Sequence, residues 1–180
     1  MESANVARAA ALSESTLSVH AARAAFEGGE PSRSATGVAA DELSSSFTIA
    51  SGLRQSGRFA EALPHALELM LADPLDHRYP FLVAECVEAE SMEPDCTNPN
   101  ELLLHAAGLF AISFSVRKTA TAAFRLAECQ ARAGKSAEAI RAFDTAAHMA
   151  ARDESLPGLK EEARSRAHEL HCLVRPSITA

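Results

Sequence analysis

The stretch Gly57-Arg58-Phe59-Ala60-Glu61-Ala62-Leu63 returns, loosened, as Gly134-Lys135-Ser136-Ala137-Glu138-Ala139-Ile140. Each copy closes one helix-patterned segment and opens another. From Asp41 onward Phe47, Ala50 and Leu53 share helical spacing; after Gly57 the same spacing carries Ala62, Ala66, Leu69 and Met70 as far as Asp73-Pro74. A helix-turn-helix of about 34 residues is the length of a tetratricopeptide repeat. Each landmark has a packing reason: Gly57 tolerates the tight turn, Phe59 fills the space between helices, Ala62 lets their backbones approach, and Pro74 cannot continue a helix.

The two glycines stand 77 residues apart (134 minus 57), two such units plus nine residues, so a middle repeat carries an insertion. Its helices fall at Arg78 to Glu90 and Glu101 to Val116, and the surplus falls in Ser91 to Asn100, where Pro94, Asn98 and Pro99 mark an irregular loop. The expected order is an N-terminal helix within residues 1–30 and a linker over 31–40. Repeats follow over about 41–76, 77–119 and 120–153 of a repeat region spanning 41–158, with a capping helix over 159–174 that covers the open apolar end of the array. Leu159, Ala163, Ala167 and Leu170 form that helix's apolar side. The fold class is all-α, three tetratricopeptide-like units in a right-handed superhelix between flanking helices.

Composition narrows the function. Ala and Leu dominate a 47% apolar fraction with no Trp, which favours packed helices. A net charge of -7, with 17 basic residues scattered among 24 acidic ones, argues against nucleic acid. Cys86, Cys96, Cys129 and Cys172 are far apart and read as reduced thiols, and the start lacks the pattern of a signal peptide. The apolar run Leu102 to Val116 falls short of the about 20 residues a membrane crossing needs, so no membrane insertion is expected. Gly134-Lys135-Ser136 resembles the end of a phosphate-binding loop, but a helix precedes it and its first glycine would be Cys129. His168, His171 and Cys172 lack the second cluster a metal site needs. No catalytic set, metal site or cofactor is expected.

Reading the repeats in register brings out a binding surface. The first helices of such units line the concave groove, and residues four apart on one face point into it. Counting back from each turn puts Phe47, Phe81 and Phe124 at equivalent positions, one helical turn before Ser51, Glu85 and Glu128, with Arg54, Glu88 and Ala131 or Arg132 further along. The three phenylalanines are either inter-repeat core or aromatic anchors for an extended peptide whose register the flanking charges would fix. Near the N-terminus, Leu12, Val19 and Phe26 form a stripe with no room in a three-repeat core, suited to a second copy or a partner.

With these features the chain resembles the class II chaperones of bacterial type III secretion. The resemblance covers about residues 41–170. It rests on Ala123-Phe124-Arg125-Leu126-Ala127-Glu128-Cys129, similar to the Phe-x-x-Ala-Glu-Cys run opening that family's third repeat, and on Ser56-Gly57-Arg58-Phe59-Ala60-Glu61-Ala62 and Leu75-Asp76-His77-Arg78-Tyr79. The family usually has aromatics where this chain has Ser51 and Arg54, and a compact turn in place of Ser91 to Asn100. The resemblance implies a non-enzymatic protein of the bacterial cytoplasm that holds an unfolded apolar segment of a secreted translocator protein in its groove until export. It also implies homodimerisation through residues 6–27. A general repeat scaffold or regulatory adaptor between other proteins is the alternative expectation.

Overall fold

A computed structural model describes residues 40–153 and 155–174, and seven helices lie among the described residues. They are α1 (Ala40–Gln55), α2 (Phe59–Ala72), α3 (Arg78–Glu90), α4 (Pro99–Val116), α5 (Ala120–Arg132), α6 (Ser136–Ala150) and α7 (Leu159–Val174), with no strand among the described residues. The N-terminal stripe of Leu12, Val19 and Phe26, and the linker up to residue 39, lie outside the described residues.

The two recurrent turns are the same object. Gly57 and Gly134 have φ of 74° and 77°, the left-handed conformation that a Cβ disfavours. In the first turn Gly57 N–H donates to the Arg54 carbonyl (3.0 Å) and Arg58 N–H to that of Leu53 (2.9 Å). In the second, Gly134 N–H donates to the Ala131 carbonyl (3.0 Å) and Lys135 N–H to that of Gln130 (2.8 Å). Both are Schellman closures, which satisfy the last free carbonyls of the preceding helix. The residues that open the next helices, Arg58 (φ -89°, ψ 59°) and Lys135 (φ -87°, ψ 59°), match as closely.

The middle repeat turns differently. α3 ends at Ser91 in ordinary right-handed geometry, and the chain then steps through Met92, Glu93 and Cys96 by short-range hydrogen bonds. Pro99 opens α4 at the first helical position, where its missing N–H costs nothing, so the helix starts two residues before the expected Glu101.

Each helix packs chiefly on its chain neighbours, as expected of a stacked repeat. The buried residues form three clusters. One joins Leu43 and Ala50 of α1 to Ala66 and Leu69 of α2 and Leu82 and Val83 of α3. The second joins Ala84 to Leu103, Ala106, Phe110 and Cys129 across α3, α4 and α5. The third joins Phe124 and Ala127 to Ala139, Phe143 and Ala146, and on to Ala163 and Ala167 of α7, with Leu159 and Leu170 packed at its edge. Small residues dominate at the crossings: Ala62 and Ala139, the equivalent alanines of the two turns, are fully buried, while Ala60 points outward. Close approach of the helices depends on this, since interiors have no spare volume for a larger side chain.

Candidate functional site

The first helices of the three repeats bring α1, α3 and the start of α5 around a cleft of about 320 Å³. Phe47, Ser51 and Arg54 line it from α1, Phe81 and Glu85 from α3, and Thr119 and Thr121 from the start of α5, with His77 and Arg78 at its rim. Both phenylalanines are half-buried. Phe47 leans on the Tyr79 ring at 5.7 Å, and Phe81 meets buried Phe110 edge-on at 5.0 Å. The rings are thus held from below and only partly covered, which leaves some apolar surface at fixed positions.

The charged groups of the cleft are paired. Arg54 Nη1 donates to both oxygens of Glu85 at 3.1 and 3.2 Å. Burial still pushes the Glu85 carboxyl above its ordinary value, against the pull of Arg54 and Arg125. The Arg78 guanidinium lies 4.9 Å over the Phe47 ring and is held there by Asp76, whose Oδ1 accepts from its Nε at 2.9 Å. That bond holds the Asp76 carboxyl below the usual carboxylate range, while burial lowers His77. The His77 carbonyl accepts from the buried Ser113 hydroxyl at 2.8 Å, pinning the start of α3 to α4.

The other four expected groove residues lie elsewhere. Phe124 is only 6% exposed and packs edge-on against Phe143 at 5.3 Å, so it belongs to the core and offers no anchor to a ligand. Glu88 is 2% exposed and is likewise closed to a ligand: it accepts from Arg125 Nη2 and, at 2.9 Å, from Arg132 Nη1. Burial pushes its carboxyl up, with Arg125 and Arg132 opposing. The same burial raises the neighbouring Cys129 thiol to about 12 and that of Cys86 to about 11, which keeps both protonated and inert. Glu128 and Arg132 face a second cleft of about 210 Å³, closed on its far side by Arg166, Glu169, Leu170 and Leu173 of α7.

Arg125 is the residue the sequence did not single out. It bridges Glu88 on α3 and, at 3.0 Å, Glu128 on its own helix, and it stacks 5.7 Å from the Phe110 ring. Nothing local marks it, because its partner Glu88 is 37 residues away. Arg78 was visible only as part of a run, since its role depends on the Phe47 ring of another helix.

No family model and no curated protein matches the chain. Solved structures do. A type III secretion complex from Aeromonas hydrophila superposes with a TM-score of 0.73 at 18% identity, over 84% of this chain and 95% of that one. PcrH in complex with the chaperone binding region of PopD gives 0.69 at 18% identity, over 77% and 98% of the two chains; a further PcrH structure is from Pseudomonas aeruginosa. The Yersinia enterocolitica type III secretion translocator chaperone SycD gives 0.66 at 20% identity, over 77% and 98%. At such identities the likeness is one of fold, and with matching turns, stacked helix pairs and a cleft lined by the first helices, the described chain has the fold of the type III secretion translocator chaperones.

Proposed function

We propose that the protein is a cytoplasmic chaperone of a type III secretion system that binds an extended apolar segment of a translocator-type protein in the cleft between α1, α3 and α5. The observation that carries this reading is the pair of half-buried rings, Phe47 and Phe81, fixed on one face of a concave surface. Support also comes from proteins of the same fold, since SycD has been solved with a peptide of the translocator YopD and PcrH with the chaperone binding regions of PopD and PopB.

In this reading the rings take up apolar side chains of the segment, while Ser51, Thr119 and Thr121 supply hydrogen bonds to its backbone. The Arg54–Glu85 pair presents a fixed dipole that sets register without leaving an uncompensated charge. Glu128 and Arg132 extend the surface toward α7. Covering the segment keeps a membrane-active client from aggregating before export, and no catalytic step or cofactor enters. Outside the described residues, Leu12, Val19 and Phe26 form a homodimer contact in the same proposal, which light scattering of a chain lacking residues 1–30 tests.

Co-expression with the translocator of the same secretion system, followed by titration with peptides tiling that translocator, tests the groove. One extended segment should bind, and Ser51→Arg, which fills the cleft from a half-buried position, should abolish binding at unchanged melting temperature. Absence of any binding segment, or binding that survives Ser51→Arg, removes the proposal.

A further inference from the structure

The two ends of the cleft between α1, α3 and α5 differ in charge. Arg54 stands two helical turns beyond Phe47, about 10 Å along α1, and its Nη1 donates to both oxygens of Glu85, so that cation and carboxylate compensate each other there. At the Phe47 end Arg78 lines the cleft with its side chain 53% exposed. Asp76 accepts from its Nε (2.9 and 3.1 Å) and its Nη2 (2.5 Å), which fixes the guanidinium over the Phe47 ring and leaves Nη1 without a hydrogen bond among the described residues. Arg117, in the link between α4 and α5, bears on the same spot. Burial first, then the charges of Arg117 and Arg78, hold His77 below its ordinary value against the pull of Asp76. Arg117 is itself exposed and forms no ion pair with a carboxylate among the described residues. Asp76 and Asp73 are the carboxylates near Arg78, and neither lines the cleft. On a chain of net charge -7 this is a cationic rim beside an apolar ring.

Resting on the reading of this cleft as a peptide groove, we infer that the bound segment carries an Asp or Glu whose carboxylate is received by Arg78, with Arg117 behind it. The acidic residue stands about two residues from the apolar side chain that Phe47 takes up, the spacing that puts both on one face of an extended chain. Nη1 of Arg78 is the donor left over for it, and the bonds to Asp76 hold the guanidinium in place beforehand, so little side-chain freedom is lost on binding. A basic residue at that position meets Arg78 and Arg117 and is rejected. The compensated Arg54–Glu85 end has no such preference, so the carboxylate fixes which way the segment runs through the cleft.

The test uses the full chain and peptides tiling the translocator of the same secretion system, with the Kd of the binding tile read by calorimetry. That tile should hold an acidic residue beside an apolar one, and exchanging the acid for its amide should weaken binding about tenfold, the worth of one hydrogen bond to a charged group. Arg78→Gln should weaken the parent tile by the same factor and leave binding of the amide tile unchanged, while Arg78→Glu should accept a Lys in place of the acid. Arg117→Gln changes an exposed and unpaired side chain, so its melting temperature should stay that of the parent while the parent tile binds about threefold more weakly. A tile that holds no acidic residue, or that binds equally well as its amide, overturns this inference alone. A chain that binds no tile, or whose binding survives Ser51→Arg, overturns the groove reading and the inference with it.

Discussion

The first and third repeats share a turn down to the backbone angles of Gly57 and Gly134, yet the same register position is a cleft wall in one and core in the other. Phe47 has Tyr79 beneath it and Arg78 across its face, and the rest of the ring meets the cleft. Phe124 has Phe143 against its edge and joins a cluster closed by Ala163 and Ala167 of α7. A repeat sequence therefore assigns a side chain to a row, and the neighbouring element decides whether that row is filled by the protein or left for a ligand.

The sharpest way to break this contrast is to truncate both rings. Phe124→Ala should cost about 3–5 kcal/mol, the range for a buried aromatic. Phe47→Ala should cost clearly less and, in the proposed reading, act mainly on binding of the peptide. Urea unfolding of both variants beside peptide titration reads the two effects, and equal losses of stability would erase the distinction. Next in size is overpacking at the equivalent alanines. Ala62→Leu and Ala139→Leu should each destabilise by about 1–3 kcal/mol because both sites are fully buried. Ala60→Leu, on the outer face, should leave the melting temperature within error.

The shared turns give a smaller and symmetric effect. Gly57→Ala and Gly134→Ala both force a Cβ into the left-handed region at about 1–2 kcal/mol, although neither Cβ would touch another atom. Unequal losses would show that the two closures are not equivalent. The smallest effect is in pH. Asp76 is held below its ordinary 3.8 by Arg78, so its contribution is present above that value and fades as pH falls through the folded pKa. Glu88 is raised above its ordinary 4.5 by burial, so its contribution is complete below that value and fades as pH rises through the folded pKa. Asp76→Asn should flatten the acid side of the stability profile, and Glu88→Gln the side above about 4.5. Chemical unfolding across pH 2 to 7 measures both slopes, a window of about two units either side of carboxylate titration.

The legibility of the site followed the range of the interactions. Phe47, Ser51, Arg54, Phe81 and Glu85 line one cleft because each is fixed by counting along a helix from a turn that the sequence marks. Glu88 sits on the same counted face but meets Arg125 and Arg132 from α5, so it is buried in an ion cluster. A count along α3 carries no information about which side chains α5 sets against it.

By itself the sequence determined the helix pairs, their two glycine turns, the insertion in the middle repeat and the small residues at the crossings. These follow from spacing of apolar residues and from backbone preferences, both local properties. Only the tertiary structure decided which two of the three equivalent phenylalanines line the cleft, which carboxylates are paired and by what, and which face of α4 is left uncovered. Those depend on where non-neighbouring helices meet, and burial, desolvation and ion pairing are set there, among side chains as far apart in the chain as Glu88 and Arg132.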